Sequence, residues 1–276
     1  MGKHTSKVTP AGLLIALGII YGDIGTSPLY VYNAIIGNRT VDETLIIGTL
    51  SLILWTLTLQ TTIKYVTMFL RADNKGEGGT FALYALVRRR QKWLVIPAMI
   101  GGASLLADGI ITPPISITSA VEGLKVLPDL RDMPTNTIVW IVLGILTLFF
   151  FAQQFGTGSI GVWFGPIMFV WFSMLAILGS IHIFDDLSIL KAINPYYAID
   201  FLKNYPHGFW LLGAVFLCTT GAEALYSDLG HCGRGNIRTS WAFVKVALMI
   251  NYFGQGASLL SRYKGIQITP AYKAEV

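Results

Sequence analysis

Gly18-Ile-Ile-Tyr-Gly-Asp-Ile-Gly-Thr-Ser-Pro-Leu-Tyr30 sets an acid, three glycines and a proline inside an apolar run that begins at Ala11. In a helix interior Gly costs about 1 kcal/mol and Pro about 3 kcal/mol, and Pro28 lacks a backbone N–H. The stretch therefore predicts a helix broken near residues 22–25. Unwound backbone at membrane depth persists only where it lines a cavity or is buried in protein. It frees carbonyl oxygens beside the Asp23 carboxylate and the Thr26 and Ser27 hydroxyls. These are hard oxygen ligands, suited to an alkali cation. The competing reading is a proline-kinked helix whose polar groups are bonded internally.

That this run lies in a membrane follows from composition. Of 276 residues, 53% are hydrophobic and 13% charged, against roughly 25% charged in an average soluble domain. Mean hydropathy is +0.59. So little charge excludes a soluble globule, a disordered chain and a nucleic-acid binder, and defines an all-α polytopic membrane protein. A spanning helix needs roughly 20 apolar residues. Seven segments qualify: residues 11–36, 44–70, 94–122, 136–155, 160–184, 208–232 and 240–261. Residues 80–92 read as a short amphipathic helix within a surface loop at 71–92. Cys218 and Cys232 fall in or beside one span, which argues against a disulfide framework.

Lys and Arg set the orientation. Lys3, Lys7, Arg71, Lys75, Arg88, Arg89, Arg90, Lys92, Arg234 and Arg238 fall on one side. The opposite loops hold Arg39, Lys125, Arg131, Lys191 and Lys203, with Arg262, Lys264 and Lys273 on the tail. The 71–92 loop decides the sense: a multi-pass protein with residues 1–10 cytoplasmic, residues 185–207 an extracellular loop and residues 262–276 a tail.

Two more acids interrupt apolar spans. Each costs on the order of 2.5–3.5 kcal/mol at the bilayer centre. In Ser104-Leu-Leu-Ala-Asp-Gly-Ile-Ile-Thr-Pro-Pro-Ile-Ser116, the residues Ser104, Asp108, Thr112 and Ser116 stand four apart and form one drifting polar stripe. Small-residue packing explains the serines but not Asp108. In Cys218-Thr-Thr-Gly-Ala-Glu-Ala-Leu-Tyr-Ser-Asp-Leu-Gly230, Glu223 follows hydroxyls and a glycine at mid-span. Asp23, Asp108 and Glu223 are candidate proton carriers, since a nearby cation holds an acid ionised while burial beside other carboxylates raises its pKa. The structural alternative pairs these acids with Lys64 or Lys245. Two interrupted spans, first and sixth, would correspond if five-helix halves repeat, which points to an inverted-repeat transporter with a midplane site. Asn251, Gln255 and Ser258 share one face of the last span and read as interhelical hydrogen-bonding groups. His182, His207 and His231 read as interfacial residues, and Trp140, Trp163, Trp171, Trp210 and Trp241 mostly as interface belts.

These stretches, with Lys75-Gly-Glu-Gly-Gly-Thr80, resemble the KUP/HAK/KT potassium uptake permeases over residues 10–261. The resemblance implies a LeuT-like fold with broken helices 1 and 6, residues 11–184 forming the first five-helix repeat and residues 208–261 the first two helices of an incomplete second. It implies a secondary active transporter that imports potassium with protons across the plasma membrane. It is not an enzyme and has no cofactor; potassium is the substrate and the proton the coupling ion. Asp23 and Tyr30 from the broken first helix, Asp108, Thr112 and Ser116 from the third and Thr220 from the sixth would bind potassium. Glu223 would support the site or carry the proton. A homodimer in the lipid bilayer is the assembly implied. Members have about twelve spans and a cytosolic C-terminal domain, so the alternative is a truncated, non-transporting fragment or an accessory subunit. An intramembrane aspartyl protease also needs two membrane aspartates, but its Gly-x-Gly-Asp pattern is absent: Ile20 lies three residues before Asp23, and Ala107 precedes Asp108.

Overall fold

The first helix breaks at Tyr21. Helix α1 (Pro10–Ile20) starts on Thr9, whose hydroxyl accepts from the Gly12 N–H at 3.0 Å. Its continuation, α2 (Gly22–Thr26) and a 3-10 turn (Ser27–Leu29), leaves at 69°. Helix α3 (Val31–Ile36) follows. The break falls one residue before the expected window because Tyr21 is pinned. Its hydroxyl lies 3.0 Å from both the Ile237 carbonyl oxygen and Ser240 Oγ. Its ring stacks on Trp241 and meets the edge of Phe172. The computed structural model describes residues 8–88, 91–153 and 158–268; Lys3, Lys7, Arg89, Arg90 and Lys273 lie outside these.

The remaining elements are helical. They are α4 (Glu43–Thr56), α5 (Thr80–Val87), α6 (Val95–Glu122), α7 (Thr135–Gln153), α8 (Gly158–Ile183), α9 (Pro195–Asn204), α10 (Gly208–Phe216), α11 (Ala224–Ser227), α12 (Leu229–Cys232) and α13 (Arg234–Tyr263). Helix α4 opens on the Asp42 side chain, which accepts from the Leu45 N–H at 2.6 Å. It runs on as a wider π-helical stretch, Leu57–Met68. There the Thr67 hydroxyl donates to the carbonyl of Thr62, five residues back. Among the described residues, five apolar helical runs are long enough to cross a bilayer: Glu43–Arg71, Lys92–Val126, Trp163–Ile183, Gly208–Ser227 and Arg234–Tyr263. The bent pair Pro10–Ile20 and Gly22–Leu29 makes a sixth. The expected span at 136–155 reaches beyond the described residues; its described part, Thr135–Phe151, is apolar but shorter. The surface helix expected at 80–92 is shorter too, ending at Val87. Helix α6 stays continuous through Pro113 and Pro114.

Small residues let the long helices touch. A Cβ on Gly254 of α13 would strike the Gly179 carbonyl of α8, and one on Gly18 would lie 2.6 Å from the Gly165 nitrogen. Without a hydrophobic drive between helices in lipid, such close backbone packing holds them together. Asn251 Nδ2 donates to the Leu175 carbonyl at 3.0 Å, as expected of that face. Helices α6 and α7 share a small satellite core of Val121, Ile138 and Val142. They expose Met99, Leu106, Ile110, Trp140 and Leu148, an apolar face suited to lipid.

The two ends of the bundle carry the two loop groups separated by the charge count. At one end the Thr9 N–H donates to Asn236 Oδ1 (3.2 Å) and Arg234 pairs with Asp73 (3.1 Å). At the other, Val41 exchanges backbone hydrogen bonds with Gly265 and Ile266. There Glu43 bridges Lys191 (2.9 Å) and Lys264 (3.3 Å). The Glu43 carboxylate pushes the Lys191 pKa above its ordinary value.

Candidate functional site

The second interruption meets the first. After α10, a 3-10 turn (Leu217–Thr219) ends at Thr220, whose ψ of 133° pulls the chain out of helical geometry. Gly221 follows with φ +81°, a left-handed conformation that glycine adopts without steric cost. The chain turns through Glu223 into α11. A Cβ on Gly221 would lie 2.7 Å from Asp23 Cβ and 2.9 Å from Asp23 Oδ2. The two breaks thus abut, with Asp23 seated on the Gly221 backbone.

Around this contact run two connected sets of oxygens. On the inner side of α2, the Thr26 hydroxyl donates to the Asp23 carbonyl (2.8 Å) and lies 3.0 Å from Ser116 Oγ on α6. Ser27 Oγ donates to the Leu217 carbonyl (3.1 Å) and lies 3.3 Å from the Tyr30 hydroxyl. Tyr30 also interacts with Thr220 and Thr26. Asp23 Oδ1 is buried and has no hydrogen-bond partner; a buried carboxylate oxygen is costly unless paired. Carbonyls beyond the break are in part occupied: Trp171 Nε1 donates to the Gly25 carbonyl (2.9 Å) and Gln255 Nε2 to that of Pro28 (3.1 Å).

The second set lines a cavity of about 500 Å³ between α6, the π-helical stretch and the broken α10–α11 span. Asp108, Ser104, Thr220 and Glu223 are on its wall. Thr112, one turn along α6, donates to Asp108 Oδ1 at 2.8 Å. Asp23 lies within electrostatic range of both Asp108 and Glu223. All seven expected residues therefore gather at the junction of the two breaks and α6. They divide between the cavity wall (Asp108, Thr220, Glu223) and the packed layer behind it (Asp23, Tyr30, Thr112, Ser116).

The Lys75–Thr80 motif docks against the same span. Asn74 and Glu77 close a tight turn through mutual backbone hydrogen bonds, with Gly76 at φ +90° and Gly79 at φ +93°. Gly78 sits directly on the Tyr226 carbonyl oxygen, leaving no space for a Cβ. The Tyr226 hydroxyl in turn donates to the Ala72 carbonyl at 2.6 Å. Thr80, at the end of the loop, reaches the cavity wall.

Several expectations are corrected. Lys64 shares the cavity but forms no ion pair with an acid among the described residues; its ammonium donates to Gln60 Oε1 at 3.2 Å. Lys245 is not among the cavity-lining residues. Trp171 and Trp241 are structural: the first bonds the Gly25 carbonyl of α2, and the second is 2% exposed and stacks on Tyr21. Trp140, Trp163 and Trp210 are exposed, as a membrane-interface position requires. Sequence reasoning missed Gln60, Tyr65, Phe216 and Thr219 on the cavity wall. Nothing in their local pattern separates them from helix-packing residues, and the π-helical register that turns Gln60 and Lys64 inward has no signature in composition. Cys218 and Cys232 are free and buried. No cluster of three or more His, Cys, Asp or Glu side chains that could hold a metal ion occurs among the described residues.

Comparison with known proteins gives the family. The chain is 64% identical over 259 residues to a probable potassium transport system protein Kup of Cytophaga hutchinsonii, covering 92% of this chain and 39% of that protein. It is 57% identical to one from Clostridium perfringens (93% and 40%) and 53% identical to one from Streptococcus agalactiae (98% and 42%). The chain thus spans about two fifths of the length of these relatives, matching their N-terminal part. No solved structure matches it. The family described as K+ potassium transporter integral membrane domain matches residues 10–274, and with several apolar helices among the described residues the chain belongs to this family of multi-pass membrane proteins.

Proposed function

We propose that this chain forms the ion-binding half of a secondary transporter that imports potassium together with protons. The observation that carries the reading is the meeting of two broken spans, each bearing an acid close to its break, beside a third acid on α6. Kup-type relatives named for potassium transport support the choice of ion. A dehydrated potassium ion needs about six to eight oxygens, held strongly enough to enter and weakly enough to leave. Asp23, Tyr30, Asp108, Thr112, Ser116 and Thr220 supply carboxylate, hydroxyl and carbonyl oxygens at the junction. Potassium keeps the nearby acids ionised; without it, burial and mutual repulsion favour protonation. That exchange couples the proton, with Asp23, Asp108 and Glu223 as carriers. The interrupted first and sixth spans follow the logic of a LeuT-like inverted repeat, with α7 as a further span to make seven. The end bearing Arg71, Lys75, Arg234 and Arg238 is then cytoplasmic, together with the N-terminus.

The test is growth at low potassium, with rubidium uptake, in cells lacking their own potassium uptake systems. This chain would run beside its Asp23→Asn and Asp108→Asn variants at equal expression. Saturable uptake lost in either variant is the expected result, and wild-type kinetics in both would sink the assignment. One observation favours a second reading, in which the chain contributes the site to a larger assembly: it spans only 39% of the Cytophaga relative. Uptake that requires co-expression of the remaining segment would select it.

A further inference from the structure

We propose that Lys64 is a built-in counter-cation of this site, a fixed ammonium that shares the cavity with Asp108 and Glu223 and sets how tightly the transported cation is held. The proposal rests on the reading of the junction as a cation site. Lysine is costly in a span and is expected to pair or to serve function. Here Lys64 is half-buried, on the wall that also carries Asp108, Thr220 and Glu223. Among the described residues it pairs with no acid. Gln60 Oε1 holds its ammonium at 3.2 Å, and the ammonium lies 4.8 Å from the Tyr65 ring centre and 5.8 Å from that of Phe69. A neutral acceptor and two aromatic faces keep the charge in place without neutralising it. The π-helical stretch supplies the register, and such stretches recur at functional sites.

Charge counting gives the ammonium its role. Asp23, Asp108 and Glu223 carry three negative charges when ionised. One transported cation and one proton leave a single negative charge over, and Lys64 closes the balance. Its positive field also weakens the hold on the transported cation, and release requires that hold to be weak. Arg would preserve the field. An apolar side chain of similar length would remove it and leave the acids to the transported ion alone.

The experiment is equilibrium rubidium binding to the purified, membrane-reconstituted chain at fixed pH, comparing wild type, Lys64→Met, Lys64→Arg and Asp108→Asn, each checked for monodispersity and melting temperature. For an assumed separation of ~10 Å and an effective dielectric of about 20, removing one unit charge changes affinity on the order of tenfold. Lys64→Met should therefore bind rubidium roughly tenfold tighter, and Lys64→Arg should bind like wild type. A purely structural lysine predicts the opposite sign: weaker binding with a lowered melting temperature in Lys64→Met. Wild-type affinity in a well-folded Lys64→Met overturns the proposal, as does tightening in Lys64→Arg. If wild type binds no rubidium, or Asp108→Asn binds as well as wild type, the cation-site reading itself fails and this inference falls with it.

Discussion

Gly221→Ala isolates the contact on which the site depends. Two costs add. A non-glycine residue held at φ +81° pays about 1–2 kcal/mol in left-handed backbone geometry. The new methyl would also sit 2.7 Å from Asp23 Cβ and 3.0 Å from the Ile24 nitrogen. Ordinary contact begins at 3.4 Å, so the two breaks must separate by about 0.7 Å (3.4 less 2.7). Overpacking of that kind costs about 1–3 kcal/mol. The sum is about 2–5 kcal/mol of stability. Site geometry tolerates roughly 0.5 Å, so displacement of Asp23 should also weaken rubidium binding by about tenfold or more. The control is Gly213→Ala. Gly213 is helical within α10 and a Cβ there meets nothing within 4 Å, so alanine should be neutral or stabilise by up to about 1 kcal/mol. Denaturant unfolding in mixed micelles reads the first effect and equilibrium rubidium binding the second. If Gly221→Ala unfolds within about 0.5 kcal/mol of wild type, well below the ~2 kcal/mol lower bound, and binds rubidium normally, the abutting-breaks account is wrong.

Three further outcomes follow from the geometry. Gly78→Ala drives a methyl into the Tyr226 carbonyl oxygen and should free the 73–79 loop, seen as faster proteolysis there than in wild type; an unchanged cleavage rate would show that the loop is not held by this contact. Tyr21→Phe removes the hydroxyl shared by the Ile237 carbonyl and Ser240 while keeping the ring stack, and should lower unfolding stability by about 1 kcal/mol. Asp186 caps the 3-10 helix Leu187–Ile193 through the Ser188 N–H at 2.9 Å, so Asp186→Ala should cost about 1 kcal/mol at neutral pH. The side-chain hydrogen bond from Ser188 holds the Asp186 carboxyl below its ordinary value of 3.8. That stabilisation is complete above the unfolded-state pKa and is lost as pH falls through the folded-state value. Melting curves of wild type and variant should therefore converge below pH 3.8, and a constant gap down to strong acid would contradict the capping account.

The sequence by itself determined the features that local physics controls. Low charge and long apolar runs made it a membrane protein, because a bilayer demands about 20 apolar residues per span. Gly, Pro and an acid within residues 18–30, and Thr220-Gly221 in the sixth span, marked both interruptions, since these residues oppose a helix wherever they occur. The four-residue spacing of Ser104, Asp108, Thr112 and Ser116 put them on one face, which the Thr112–Asp108 and Thr26–Ser116 contacts bear out. What only the tertiary structure decided is which groups meet across the bundle. Asp23 faces Gly221, nearly two hundred residues later in the chain, and no pattern around either residue encodes that neighbour. Trp171 looked like an interface residue because an indole suits a membrane surface; its partner, the Gly25 carbonyl, is brought to it only by the packing of α2 against α8. Lys64 could be read only as a candidate partner for an acid. Its place in the cavity without one depends on the π-helical turn and on Gln60, Tyr65 and Phe69 gathering around it. Helix breaks are short-range matters of backbone energy, whereas a binding site is a meeting of distant segments, and only the packing of the helices, backbone and side chain together, brings those into contact.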